Sequence, residues 1–160
     1  MRRILRVSGR AVCGDRESRN QCSAGKTLMI PKIRRLEIEW KHFAVEDVTC
    51  ERCGQTGEAL RAAVDELREE FASSGVKINL TETLLDKTRI AESNEVRMNG
   101  VLLEILLSAS VVATDCPSCG ELAGESTCCR AIGIGDELFE DLPVELIKTA
   151  AYRALGVEPR

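Results

Sequence analysis

Residues 36–80 read LEIEWKHFAVEDVTCERCGQTGEALRAAVDELREEFASSGVKINL, and this stretch decides the fold. Leu36, Ile38, Trp40 and His42 alternate with Glu37, Glu39 and Lys41, a period of two that predicts a strand with one buried face. A short acidic loop leads to Cys50-Glu51-Arg52-Cys53, after which Leu60, Ala63, Val64, Leu67 and Phe71 fall at helical spacing. Gly54 and Gly57 are poor helix formers, so the helix is expected to begin near Thr56, after the cysteines, and to end before Gly75. Val76, Ile78 and Leu80 alternate again as a second strand. About 17 helical residues and about eight strand residues each span roughly 25 Å, so the two can pack along each other as a βαβ unit.

Working outward, residues 86–92 are polar and suit a helical turn. Val96 and Met98 lead into Asn99-Gly100, the dipeptide that favours a two-residue type I′ hairpin, and Val101, Leu103 and Ile105 return as a fourth strand. Ser108 to Arg130 reads as a Cys/Gly/Ser loop, followed by a weak ribbon over 131–139 that turns at Gly135-Asp136. Pro143, the apolar face of Leu146, Ile147, Ala150, Ala151 and Ala154, and Gly156 punctuate a last helix.

The chain has 160 residues, enough for one domain, and 44% apolar composition supplies an ordinary core. Aromatics are 3%, so few side chains are available to stack on bases. Residues 1–35 hold ten Lys/Arg against Asp15 and Glu17, a formal +8, whereas residues 36–160 hold 12 basic and 24 acidic residues, a formal -12. An acidic body repels phosphate backbones, which disfavours a nucleic-acid partner. Residues 1–33 read as a flexible basic leader and 34–160 as the folded domain, with Met29 an alternative start of translation that would remove Cys13 and Cys22. Ile4, Leu5 and Val7 are not continued by further hydrophobes into a secretory signal. The longest apolar run, 101–112, is broken by Glu104 and two serines, so no membrane partner is expected.

Eight cysteines remain to be explained: Cys13, Cys22, Cys50, Cys53, Cys116, Cys119, Cys128 and Cys129. Their density is below that of small disulfide-stapled secreted domains, and a chain of this length folds without staples. A cytoplasmic, reducing location is expected, where catalytic thiols or metal ligands outrank structural disulfides.

The order of strand, CxxC, helix, strand, hairpin and helix over Leu36 to Leu155 resembles the thioredoxin-like superfamily. With the Asn99-Gly100 hairpin, the Cys-rich loop and the Leu142-Pro143 helix, it looks like an uncharacterised prokaryotic family within it, domain of unknown function 2703. The resemblance implies an α/β fold: a thioredoxin-like mixed sheet of a βαβ unit and a ββ hairpin, a C-terminal helix and a Cys-rich loop insertion. It also implies that Cys50 is the nucleophile of a redox dithiol and Cys53 its resolving partner. The chemistry agrees, because free amides and aligned dipoles at a helix start stabilise a thiolate. Thioredoxins carry a cis-proline before the third strand, where this chain has Ser93-Asn94-Glu95.

Cys116-Pro117-Ser118-Cys119-Gly120 is a knuckle-like turn that aims two thiolates at one point, and Cys128-Cys129 follow after eight residues. Adjacent Cα atoms are about 3.8 Å apart, short of the roughly 4.4–6.8 Å of a disulfide, so Cys128 and Cys129 must each look elsewhere. Cys116, Cys119, Cys128 and Cys129 are therefore candidate metal ligands, for zinc, an iron-sulfur cluster or another thiophilic metal ion. Two antiparallel steps make the fourth strand parallel to the first, so the loop should emerge beside Cys50 and share a site with it.

Two functions follow. One is thiol-disulfide exchange by Cys50 and Cys53, with protein or small-molecule thiols and disulfides as partners, no cofactor, and the loop cysteines as accessory thiols. The other is non-enzymatic thiolate metal binding for storage, sensing or transfer. His42 is expected as a half-buried strand residue, Trp40 as core, and Asp65, Glu66, Glu69 and Glu70 as a solvated helix face.

Overall fold

A computed structural model describes residues 35–158, so the expected leader, with Cys13, Cys22 and Met29, lies outside the described residues. The elements are β1 (Arg35–Val45), β2 (Val48–Thr49), α1 (Glu51–Phe71), β3 (Lys77–Leu85), β4 (Glu95–Met98), β5 (Val101–Leu102), α2 (Leu103–Leu107), β6 (Ser110–Asp115), α3 (Pro117–Ala123), β7 (Cys128–Ile134), β8 (Glu137–Phe139) and α4 (Val144–Leu155). Short 3-10 turns cover Ala72–Ser74 and Lys87–Glu92.

The fold is mixed α/β. β1 lies at the centre of the main sheet, parallel to β3 from Arg35↔Lys77 to Phe43↔Leu85 and antiparallel to β4 from Ile38↔Met98 to Lys41↔Glu95. β5 continues beyond β4, and β2 folds back on the end of β1. The expected hairpin forms at Asn99 and Gly100, both with positive φ as a type I′ turn requires. Leu36, Ile38 and Trp40 from β1 form the core with Leu60, Ala63, Val64 and Leu67 from α1 and Ile147, Ala150 and Ala151 from α4.

Helix α1 begins at Glu51, not near Thr56, and Cys50 is its N-cap with extended φ -71 and ψ 161. The two glycines do not delay it, because tertiary packing outweighs their propensity cost of about 1 kcal/mol each. Gly57 has a packing role: a Cβ there would stand 2.5 Å from Trp40 Cη2, so its absence lets the helix lie against the indole. Part of the acidic face is also partnered rather than merely solvated. Lys148 Nζ pairs with Glu66 at 2.8 Å, and the Tyr152 hydroxyl donates to Glu70 at 2.7 Å.

Two further expectations are corrected. The fourth strand is only two residues long, because Leu103 and Leu107 bury at helical spacing while Ile105 stays 64% exposed, so the helical period overrides the alternation. The segment read as a loop over 108–130 is mostly regular: β6, α3 and β7, which with β8 make a second, three-stranded antiparallel sheet. β6 hides this from the sequence because its residues are exposed or half-buried, so no apolar alternation marks it. No helix among the described residues is long and apolar enough to cross a membrane.

Candidate functional site

Cys50 caps α1 and Cys53 stands in its first turn, where the amide of Gly54 closes the helix by donating to the Cys50 carbonyl at 2.9 Å. Both thiols are buried. Ser93, fully buried just before β4, occupies the place opposite the dithiol. Its Oγ accepts from the Phe43 amide at 2.9 Å and lies 3.3 Å from Cys53 Sγ. A hydroxyl therefore faces the Cys53 thiol.

Arg52, between the two cysteines, turns away from them. Its guanidinium donates to Thr114 Oγ1 at 2.8 Å and to the Asp115 carbonyl at 3.0 Å, and pairs with Glu140 at 2.9 Å. This clasp fastens the start of α1 to the end of β6, and the next residue after β6 is Cys116. This role was not read from the sequence. The available signal was the type of residue: a buried guanidinium needs several acceptors.

Cys116 is the N-cap of α3 and Cys119 lies in its first turn, with Gly120 N donating to Cys116 O at 2.9 Å. The sulfur atoms of Cys50, Cys116 and Cys119 all lie within 4.8 Å of one another, and all three residues are buried. Cys129 is buried against Cys119 and Cys116, whereas Cys128 is exposed. Strand alternation explains the split, since neighbours on β7 face opposite sides. The structure thus gathers five of the six candidate site cysteines and leaves Cys128 outside.

The environments of these thiols differ. Hydrogen bonding from the Cys53 side chain, helped by the Cys53 amide and the Cys119 and Cys116 thiols, lowers the Cys50 pKa to about 5 against the opposing effect of burial. The same hydrogen bond, with burial, pushes Cys53 far up. Burial first, then the contact with Cys129, raises Cys119, and burial first, then the Cys116 thiol, raises Cys129 to about 12. The arrangement sets one lowered thiol, Cys50, beside three raised ones, Cys53, Cys119 and Cys129.

His42 does not join the sulfur group. Its Nδ1 lies 3.0 Å from Thr49 Oγ1, its Nε2 lies 2.7 Å from Glu82 Oε1, and its ring stacks 4.0 Å from Trp40. A cavity of about 260 Å³ opens onto Cys116, bordered by Glu51, Arg52, Gln55, Glu140 and Asp141.

The family described as domain of unknown function (DUF2703) matches residues 36–151. The chain belongs to this family. An uncharacterized protein of Archaeoglobus fulgidus is 34% identical to this DUF2703 chain over 118 residues, covering 71% of the chain and 82% of the relative. No solved structure matches it.

Proposed function

We propose that this DUF2703 protein is a thioredoxin-like thiol-disulfide exchange protein of a reducing, cytoplasmic setting, working through Cys50 and Cys53. The observation that carries the reading is the placement of Cys50 at the N-cap of the 21-residue α1, with Cys53 as its hydrogen-bond donor. The sheet order β3-β1-β4-β5, with β3 parallel and β4 antiparallel to β1, supports the thioredoxin-like assignment. Cys50 as thiolate attacks one sulfur of a substrate disulfide, and the other sulfur leaves as a thiolate. Cys53 then displaces the first, leaving a Cys50–Cys53 disulfide and two reduced substrate thiols. Because Cys50 is only 3% exposed, substrates reach it through local opening. The seven-residue α3, which sets Cys116 and Cys119 against Cys50, is the cover whose opening the reading requires.

The test is reduction of insulin or Ellman disulfide by the reduced protein. Cys50→Ser is expected to abolish turnover, and Cys53→Ser to accumulate mixed disulfide. A Cys50→Ser protein as active as wild type defeats the reading.

A second reading is favoured by one specific observation, the convergence of Cys50, Cys116 and Cys119. Three buried sulfurs suit a thiophilic metal ion held without catalysis. Metal bound stoichiometrically in anaerobically purified protein, and lost from Cys50→Ser and Cys116→Ser, would support it.

A further inference from the structure

We propose that Cys50, Cys116 and Cys119 form a three-sulfur site for a trivalent thiophilic element, arsenic or antimony in the +3 state, which the Cys50–Cys53 disulfide closes. The closing half rests on the dithiol reading above; the site itself does not.

Geometry comes first. Three bonds of the usual metal–thiolate length, about 2.3 Å, set sulfurs at most roughly 4.0 Å apart around a planar centre and about 3.4 Å apart around a pyramidal one, so three sulfurs within 4.8 Å of one another close on the ion by about 1 Å or less on average. The donors are all sulfur, since the chain's one histidine is engaged with Thr49 and Glu82.

Charge then selects the element. A divalent ion on four thiolates leaves a buried charge of -2, and on three a charge of -1, whereas a trivalent centre on three is neutral. Uncompensated buried charge is strongly disfavoured. The neighbouring cation, Arg52, is committed to Glu140, and the N-terminus of α1 offers roughly half a positive charge. Neither offsets a dianion. Glu51, Glu140 and Asp141 at the mouth of the cavity over Cys116 repel oxyanions but admit a neutral trihydroxide.

The loading step balances: As(OH)3 and three thiols give three As–S bonds and three waters, with a proton taken up for each sulfur already ionised. On closing, water replaces Cys50 on the arsenic and releases its thiol; a small disulfide then oxidises Cys50 and Cys53 to their disulfide and is itself reduced to two thiols, leaving a hydroxo-arsenic on Cys116 and Cys119 alone.

The test titrates reduced, full-length protein anaerobically with arsenite, reading bound arsenic and protected cysteines by mass mapping on one sample. One arsenic per chain is expected, with Cys50, Cys116 and Cys119 protected. Affinity should drop at least tenfold in Cys50→Ser and Cys116→Ser and stay unchanged in Cys128→Ser. Where a variant fails to fold, protection mapping in the wild type decides. Protection of only two cysteines, wild-type affinity in folded Cys50→Ser, or zinc displacing arsenite on four thiolates overturns the site. Oxidised glutathione should expel arsenic from the wild type and not from Cys53→Ser. Equal expulsion from both overturns the gate. Three-thiol binding in a protein that never forms the Cys50–Cys53 disulfide upholds the site while sinking the gate and the dithiol reading together.

Discussion

Cys50-Glu51-Arg52-Cys53-Gly54 and Cys116-Pro117-Ser118-Cys119-Gly120 are the same device built twice. In each, the first cysteine caps a helix, the second sits in its first turn, and the glycine amide donates to the first cysteine's carbonyl at 2.9 Å. Their surroundings differ. The first pair starts a 21-residue helix packed on the main sheet, with the hydroxyl of Ser93 on Cys53. The second starts a seven-residue helix inside the β6–β7 connection. The shared local geometry places sulfur, and the environment decides what that sulfur does: Cys50 is drawn to about 5 by its neighbour Cys53, while burial drives Cys119 upward.

The largest expected effect tests whether that asymmetry governs chemistry. Cys50→Ser should reduce disulfide-reductase turnover at least about 100-fold, on the order of 2.7 kcal/mol of barrier, whereas Cys116→Ser should keep most of it. Equal losses would make the two motifs one unit. In the reduced, metal-free protein, thiolate absorbance near 240 nm should gain one step centred near pH 5. The sign is that of a lowered pKa: the thiolate persists above the step and is lost as pH falls through it. Cys50→Ser should erase the step, and Cys53→Ala should move it upward, because the chief lowering donor is gone.

The next effect concerns how the motifs are held together. Arg52→Ala leaves Thr114, Asp115 and Glu140 without their guanidinium and should destabilise the fold by about 2–3 kcal/mol in urea unfolding. Hydrogen exchange should rise over β6 and α3 before it rises in α1. Uniform exchange would mean that the clasp is not what joins them. Gly57→Ala should cost about 1–3 kcal/mol by driving a methyl into Trp40, with no change in the Cys116 region. Smallest is Ser93→Ala, at about 1–2 kcal/mol for the Phe43 amide left without its acceptor, with Cys53 becoming harder to ionise.

Sequence made the first half of this comparison readable because β1, α1, β3 and the Asn99-Gly100 turn each carry a one-sided apolar period or a required turn residue. Cys116 and Cys119 were expected beside Cys50 from strand directions, and they do lie there, but the chain reaches the site through α2 and β6 rather than along a full fourth strand. The second half was obscured for local reasons. Leu103 and Leu107 satisfy both an alternating and a helical period until burial chooses. β6 shows neither period because little of it is covered. Reading 128–134 as a strand would have separated Cys128 from Cys129 at once. Arg52 was missed because its partners lie more than 60 positions away, where no local pattern points.

That separation has a consequence for the newborn chain. Arg52 and Asp115 are 63 positions apart. At roughly 5–20 residues per second, Cys50 and Cys53 emerge from translation about 3–13 seconds ahead of the thiols that will surround them. For that interval the Cys50 and Cys53 thiols meet solvent without the cover of α3, so the nascent polypeptide carries them unshielded before the mature sulfur cluster exists.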